Sequence, residues 1–147
     1  MKRKSTAVIG MVVCFMMMAS MAWSVNLPGV PNGTVTDGNL VWLENANCFG
    51  PQSWNQAMRS AASLKSGMCG LRDGSTAGQW RLPTKEELQS RQRNLMPAFY
   101  NVKTVYWSSS TYAGGTIFAW YVYMDRGLEY YTNKGTYFYV WPVRAGQ

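Results

Sequence analysis

The stretch Gln79-Trp80-Arg81-Leu82-Pro83-Thr84-Lys85-Glu86-Glu87-Leu88 constrains this chain more than any other. Pro83 fixes its own φ near −65° and pushes Leu82 towards an extended conformation. Thr84 is then a good N-cap, because its hydroxyl can accept from an orphan N–H of the first helical turn. Glu87, three residues on, can reach back to the backbone N–H of Thr84 and close a capping box. Glu86 and Glu87 also sit where the positive end of a helix dipole favours carboxylates. An extended segment therefore ends at Leu82 and a helix starts at Lys85, running to about Arg93. Taken alone, the stretch is a junction and carries no chemistry.

A second box, Ser53-Trp54-Asn55-Gln56, opens an earlier helix that the sequence carries to about Lys65, with Ser66-Gly67 as its stop. Trp54, Ala57, Met58, Ala61, Ala62 and Leu64 fit a period of about 3.6 residues, and the small alanines suit close packing on a sheet. Before it, Gly33 to Asp37 alternates, turns at Asp37-Gly38-Asn39 and continues as Leu40 to Leu43, which reads as a hairpin. Asn45 to Pro51 reads as a loop. After the second helix, Asn94 to Thr104 is a connection, and Val105 to Ser110 is a strand. The last third reads as a three-stranded meander: Phe118 to Met124, Leu128 to Thr132 and Thr136 to Arg144. Its turns are Asp125-Arg126-Gly127 and Asn133-Lys134-Gly135. Alternation places Trp120, Val122 and Met124 on one face of the first of these strands, Tyr121 and Tyr123 on the other.

The chain of 147 residues is long enough for one domain with a proper core. Residues 1–24 are expected to lie outside that domain. Lys2-Arg3-Lys4 is a basic start, Ala7 to Met21 an uncharged apolar run, and Ala22-Trp23-Ser24 a small-residue cleavage site before Val25, the pattern of a secretory signal peptide. The other reading is an uncleaved membrane anchor, but the run is shorter than the ~20 residues a spanning helix needs. Cys14 lies within the apolar run and not just after a cleavage site, which argues against a lipid anchor. Cleavage would leave one domain, residues 25–147, in the periplasm or outside the cell.

Cleavage would remove three of 14 basic residues and none of the seven acidic ones, so the net charge would fall from +7 to +4. That balance could attract anionic partners but falls short of a nucleic-acid-binding composition. The remaining cysteines, Cys48 and Cys69, form an even pair in an oxidising compartment and read as a disulfide. It would tie the two ends of the first helix together and contribute roughly 3 kcal/mol in the loop-entropy model. Two buried free thiols are the alternative. Two cysteines without a histidine are a poor zinc site.

The motifs follow a recognisable order: Gly33-Thr34-Val35-Thr36-Asp37, Leu40-Val41-Trp42, Trp54-Asn55-Gln56-Ala57 and Trp80 to Leu88. They continue with Tyr106-Trp107-Ser108-Ser109, Ala119-Trp120-Tyr121-Val122 and Tyr139-Val140-Trp141-Pro142-Val143-Arg144. In that order they resemble the DUF1566 family, also called the Lcl C-terminal domain, of secreted and surface bacterial proteins. The resemblance implies an α+β, C-type-lectin-like fold related to that of the formylglycine-generating enzyme superfamily. Two helices would pack on a twisted, mostly antiparallel sheet with long loops on one side. By the same resemblance, the best-known member is an adhesin module that binds sulfated glycosaminoglycans and assembles as a trimer.

Three function classes follow. Catalysis is disfavoured: the chain has no histidine for a nucleophile system, and no cysteine after residue 69, where formylglycine-generating enzymes carry theirs. A carboxylate pair for glycoside hydrolysis needs two convergent acids, yet Glu86 and Glu87 look occupied at the helix start, and Asp125 and Glu129 flank a tight turn. Calcium-dependent sugar binding lacks its Glu-Pro-Asn or Gln-Pro-Asp loop and its Trp-Asn-Asp strand, and no acidic cluster supplies a hard-cation site. No catalytic residue, metal or cofactor is therefore expected. Binding by aromatic and basic side chains remains. Trp42, Trp80, Trp107 and Trp120 are expected in the core. Tyr112, Tyr121, Tyr123, Tyr130 and Tyr131 exceed what one small core needs; they either cover an exposed sheet face or contact sugar or protein. Arg126 and Lys134 at the two turns, with Arg91, Arg93 and Lys103 around the central loop, are ordinary solvated charges unless they converge on a sulfate or carboxylate. Arg81 and Arg144 are candidates for structural pairing. The candidate ligand-binding set is thus Arg91, Arg93, Lys103, Tyr112, Arg126, Tyr130, Tyr131 and Lys134. The expected partner is an anionic glycan or an envelope protein, with self-association into a homo-oligomer through the tyrosine-rich face as a further reading.

Overall fold

The computed structural model describes residues 31–95 and 97–146. The expected leader, residues 1–24, lies outside the described residues. The hairpin expected at the start is present: β1 (Thr34–Asp37) pairs with β2 (Leu40–Leu43), with Asp37 opposite Leu40 across the Gly38-Asn39 turn. Gly33, just before it, has φ +80°, and a Cβ there would lie 2.6 Å from the Gly70 carbonyl oxygen. Only glycine fits that approach without moving backbone.

Both helices begin at their capping boxes. α1 (Trp54–Ser63) follows Ser53, whose N–H donates to Gln56 Oε1 at 3.3 Å. α2 (Lys85–Arg93) follows Thr84, whose hydroxyl accepts from the Glu87 N–H at 3.2 Å while Glu87 Oε2 accepts from the Thr84 N–H at 2.8 Å. α1 stops at Ser63, short of the expected Lys65, because Leu64 turns extended and is fully buried. The Cys48–Cys69 disulfide spans 21 residues and joins the segments on either side of α1, as expected.

The strands form two sheets. β2 also pairs with β8 (Val143–Ala145), which gives a three-stranded sheet in the order β1-β2-β8. The second sheet has five strands: β3 (Pro51–Gln52), β7 (Phe138–Tyr139), β4 (Val105–Thr111), β5 (Phe118–Tyr123) and β6 (Leu128–Asn133), in that spatial order. Of the named strand pairs only β4–β7 is parallel. The protein is thus α+β with two helices and two mostly antiparallel sheets.

The expected C-terminal meander is corrected. β4, β5 and β6 form the meander, and the final segment divides between the two sheets. Its first part, β7, enters between β3 and β4; its second part, β8, joins β2. The physical reason lies in the run Val140 to Val143, which carries no charged or hydroxyl side chain to face solvent and is buried throughout. Val140 is buried in a cluster with Ala57, Ala61, Leu82, Trp107 and Ala119. Trp141, the next residue, is buried in a larger cluster with Trp42, Leu88 and Tyr106. A segment buried on both faces belongs between layers, not on a half-exposed meander. Pro142 has no N–H to donate and sits between β7 and β8. The two-residue β3 starts at Pro51, the last residue of the expected loop before α1.

The Trp80–Leu88 stretch joins the two sheets. The Arg81 N–H and C=O exchange hydrogen bonds with Val143 of β8, both 2.9 Å. The Pro83 carbonyl accepts from the N–H and hydroxyl of Ser109 in β4, at 2.7 and 3.2 Å. Trp80 is buried with its Nε1 donating to Ser75 Oγ at 2.9 Å. Arg81 and Arg144 are structural, as their motif positions suggested. Arg81 makes a two-pronged contact with Glu87, 2.8 Å on each prong. Arg144 pairs with Asp73 at 3.0 Å and lies over the Trp80 ring.

Candidate aromatic binding surface

The register of β5 against β6 decides what the tyrosines do. Trp120 lies opposite Tyr131 and Val122 opposite Glu129, so these four share one face with α2. Tyr121 lies opposite Tyr130, and both belong to the other face with Tyr123 and Phe138. Neighbours in sequence, Tyr130 and Tyr131, therefore serve opposite surfaces.

On the first face four rings gather beyond the end of α2. Tyr112 and Tyr131 are stacked with centroids 3.8 Å apart and planes 8° from parallel. Trp120 meets both edge-on, at 5.7 and 5.4 Å. Phe118 meets the same two tyrosines at 6.4 and 5.9 Å. The hydrogen bond between the two tyrosine hydroxyls, followed by their mutual repulsion on ionisation, holds the Tyr112 phenol above its usual range. Gly114 makes the arrangement feasible: a Cβ there would lie 2.3 Å from the Tyr112 ring.

The edge of this cluster is polar. Lys85, the first residue of α2, donates to Glu129 Oε1 at 2.8 Å and lies 4.6 Å from the centre of the Trp120 ring. The hydrogen bond to Glu129, ahead of a smaller opposing burial effect, raises the Lys85 pKa. An apolar ring surface thus borders a fixed carboxylate and ammonium. Such a surface can receive the C–H face of a sugar ring while the charged pair bonds its hydroxyls.

The other candidates lie elsewhere. Arg126 and Tyr130 border a cleft of about 200 Å³ on the opposite face, with Tyr123, Asp125 and Leu128. Lys134 donates to the Thr116 carbonyl at 2.7 Å and covers the Trp54 ring at 4.2 Å. Arg126 and Lys134 flank opposite ends of β6, roughly 25 Å apart at strand rise. Lys103 lies 5.9 Å from the Tyr139 ring, and Arg93 is exposed at the end of α2. The basic residues do not converge.

Arg91 requires a correction. Its side chain is fully buried, between Trp42 and Phe99. Nη1 lies 3.0 Å from Asp37 Oδ2 at an angle outside hydrogen-bond range, so that contact is mainly coulombic. Nη2 donates to the Asn94 carbonyl. Burial, only partly offset by Asp37, lowers the Arg91 pKa. It cannot reach a ligand. Helix period and the adjacent Leu88 gave the signal: Arg91 follows Leu88 by three residues and shares its inward face.

Trp120 is the converse correction. Trp42, Trp80 and Trp107 are in the core as expected, but Trp120 is only half-buried. Alternation put it rightly on the Val122 face, yet α2 covers only part of that face. Lys85 and Glu129 were also missed, because their pairing crosses 44 residues.

The profile of the Lcl C-terminal domain matches residues 33–144. The chain belongs to the Lcl C-terminal domain family. The match spans both sheets, both helices and the aromatic cluster. A search of curated proteins finds no match to this Lcl C-terminal domain. Among the described residues no three of its His, Cys, Asp or Glu side chains gather as a metal-binding group, and no helix is long and apolar enough to cross a membrane.

Proposed function

We propose that this protein is an exported, non-catalytic, lectin-like binding module that takes glycan chains on the Tyr112–Trp120–Tyr131 cluster. The observation that carries this reading is the half-buried aromatic cluster, with Tyr131 exposed, bordered by the Lys85–Glu129 pair. Rigid amphipathic rings offer contact area at little entropic cost. The disulfide is consistent with export to an oxidising compartment. Support for a non-catalytic role comes from the engaged acids: Glu87 with Arg81, Glu129 with Lys85, Asp73 with Arg144 and Asp37 with Arg91. The C-type-lectin-like ancestry implied by the motifs belongs to the same proposal.

The anionic form of the reading, a preference for sulfated glycans, rests on the net charge and on Arg93, Lys103, Arg126 and Lys134 distributed around the molecule. The test is a glycan-array screen at two salt concentrations. Salt-dependent capture of sulfated chains supports the anionic form. Salt-insensitive binding of neutral sugars keeps the lectin-like reading and removes the sulfate preference. Silence across the array overturns both. It favours the second reading, an envelope protein-interaction domain, which the exposed Ile117, Leu128, Tyr130 and Tyr137 side chains support.

A further inference from the structure

The charges around the aromatic cluster run against the charge of the chain. The chain as a whole is basic, with a net charge of +7, yet the rim of the cluster is acidic. Lys85 Nζ lies between two carboxylates, 2.8 Å from Glu129 Oε1 and 3.6 Å from Glu86 Oε1. One ammonium against two carboxylates leaves a local charge of −1 (1 minus 2). Strands β4 and β5 and residues 112–117 between them carry no charged side chain, and Glu129 is the one charged residue of β6.

The basic residues near these elements do not restore the balance. Lys134 follows Tyr131 by three residues, so alternation turns it to the opposite face, where it covers Trp54 of α1. Arg126 pairs with Asp125 and borders the cleft on that opposite face. Lys103 lies beside Tyr139. Arg81 is held by Glu87, and Arg91 is buried beside Asp37. Arg93 ends α2, about 12 Å along the helix axis from Lys85. Glu129 Oε1 accepts from Lys85, while Oε2 has no hydrogen-bond partner among the described residues. A carboxylate oxygen accepts and cannot donate, so Oε2 takes a hydroxyl or an ammonium and repels a sulfate.

We propose that the sugar seated on the Tyr112–Trp120–Tyr131 cluster is a hexosamine with a free amino group, its ammonium bound to Glu129 Oε2. This rests on the glycan-binding reading and narrows it, leaving any sulfate contact to residues away from the cluster. Three features select an ammonium. First, it completes a set of two ammoniums and two carboxylates, whereas a sulfate adds to the uncompensated negative charge. Second, aromatic faces attract cations, and the chain's own ammonium on Lys85 already lies 4.6 Å from the centre of the Trp120 ring. Third, Glu129 and Tyr131 alternate onto one face of β6, about 7 Å apart along the strand, so one sugar stacked on the exposed Tyr131 ring reaches Glu129. An acetamido group in place of the amine keeps a donor for Glu129 and loses the charge.

The test is calorimetric titration of the purified protein with three β-1,4-linked glucosamine trisaccharides that differ only at nitrogen: free ammonium, N-acetyl and N-sulfate. A mildly acidic buffer keeps the free amines protonated. The ammonium form should bind tightest and the N-sulfated form weakest, with a gap of at least about tenfold between them. Glu129→Gln should bring the ammonium and N-acetyl forms within about twofold of each other, with an unchanged far-ultraviolet spectrum. Glu86→Gln, on a largely exposed side chain, should narrow the same gap. Glu44→Gln removes the same charge just beyond β2, away from the cluster, and should keep the parent's order. The proposal is overturned by an N-sulfated form that binds as tightly as the ammonium form, by a folded Glu129→Gln that keeps the full preference, or by no binding of any of the three. If other glycans on the array still bind through Trp120, the lectin-like reading stands without it; if the array is silent as well, both fall.

Discussion

Arg91 and Trp120 exchange the roles their chemistry suggests. The arginine is buried between Trp42 and Phe99, and the tryptophan is half-exposed beside Lys85. Arg91→Ala would leave a cavity and strip Asp37 of its partner. A loss of about 2–4 kcal/mol is expected, read from urea unfolding. Arg91→Lys should recover little of it, because an ammonium cannot reproduce the flat guanidinium between two rings. Gly114→Ala makes a different prediction. The added Cβ meets a ring that can swing outward, so stability should change by less than about 1 kcal/mol. The Tyr112–Tyr131 stack should be lost, visible as an altered near-ultraviolet spectrum and weaker glycan capture. The sequence could not rank these sites, because residue type alone carries a prior about burial. Arg91 overrides that prior through Asp37 on another element, and Trp120 through the limited length of α2.

At the scale of elements, local chemistry was legible and long-range pairing was not. Both helix starts, the first hairpin and the β5–β6 turn follow from capping residues and glycine positions within a few residues of each other. The final segment failed as a meander because its partners, β3, β4 and β2, lie far away in sequence, and no local signal distinguishes a strand between layers from one at an edge. The start of α2 yields a pH prediction. Burial raises the Glu87 pKa, but the Arg81 bonds and the Thr84 N–H outweigh it and hold the carboxyl below its usual range. A depressed carboxyl stabilises the fold above its unfolded pKa, about 4.3, and loses that contribution as pH falls through the lower folded value. Unfolding free energies measured between pH 6 and pH 2 should therefore fall on the acid side. Glu87→Gln should be less stable at pH 6, by roughly 1–2 kcal/mol, and should show a shallower acid limb. An acid limb identical to the parent's would show that this pair is not the cause.

At the scale of the molecule, one junction ties the two sheets and one disulfide ties the segments around the first helix. The Trp80–Leu88 stretch bonds to β8 on one side and β4 on the other, while Cys48–Cys69 fastens the segments flanking α1. Reduction should lower stability by about 3 kcal/mol, with a matching fall in the denaturant midpoint. The aromatic surface rests on this frame, because Lys85 comes from the junction and Trp120 and Tyr131 from the sheet it supports. The family and the α+β architecture could be read from the order of the motifs; the aromatic site could not, since Tyr112, Trp120, Tyr131, Lys85 and Glu129 share no local pattern. The most direct measurement is calorimetric titration of the strongest array ligand into the parent and into Trp120→Ala, with circular dichroism confirming that both are folded. If the cluster is the binding site, the variant should lose at least roughly tenfold in affinity while keeping its fold. Equal affinity in a folded variant would contradict the account and place the site elsewhere on the molecule.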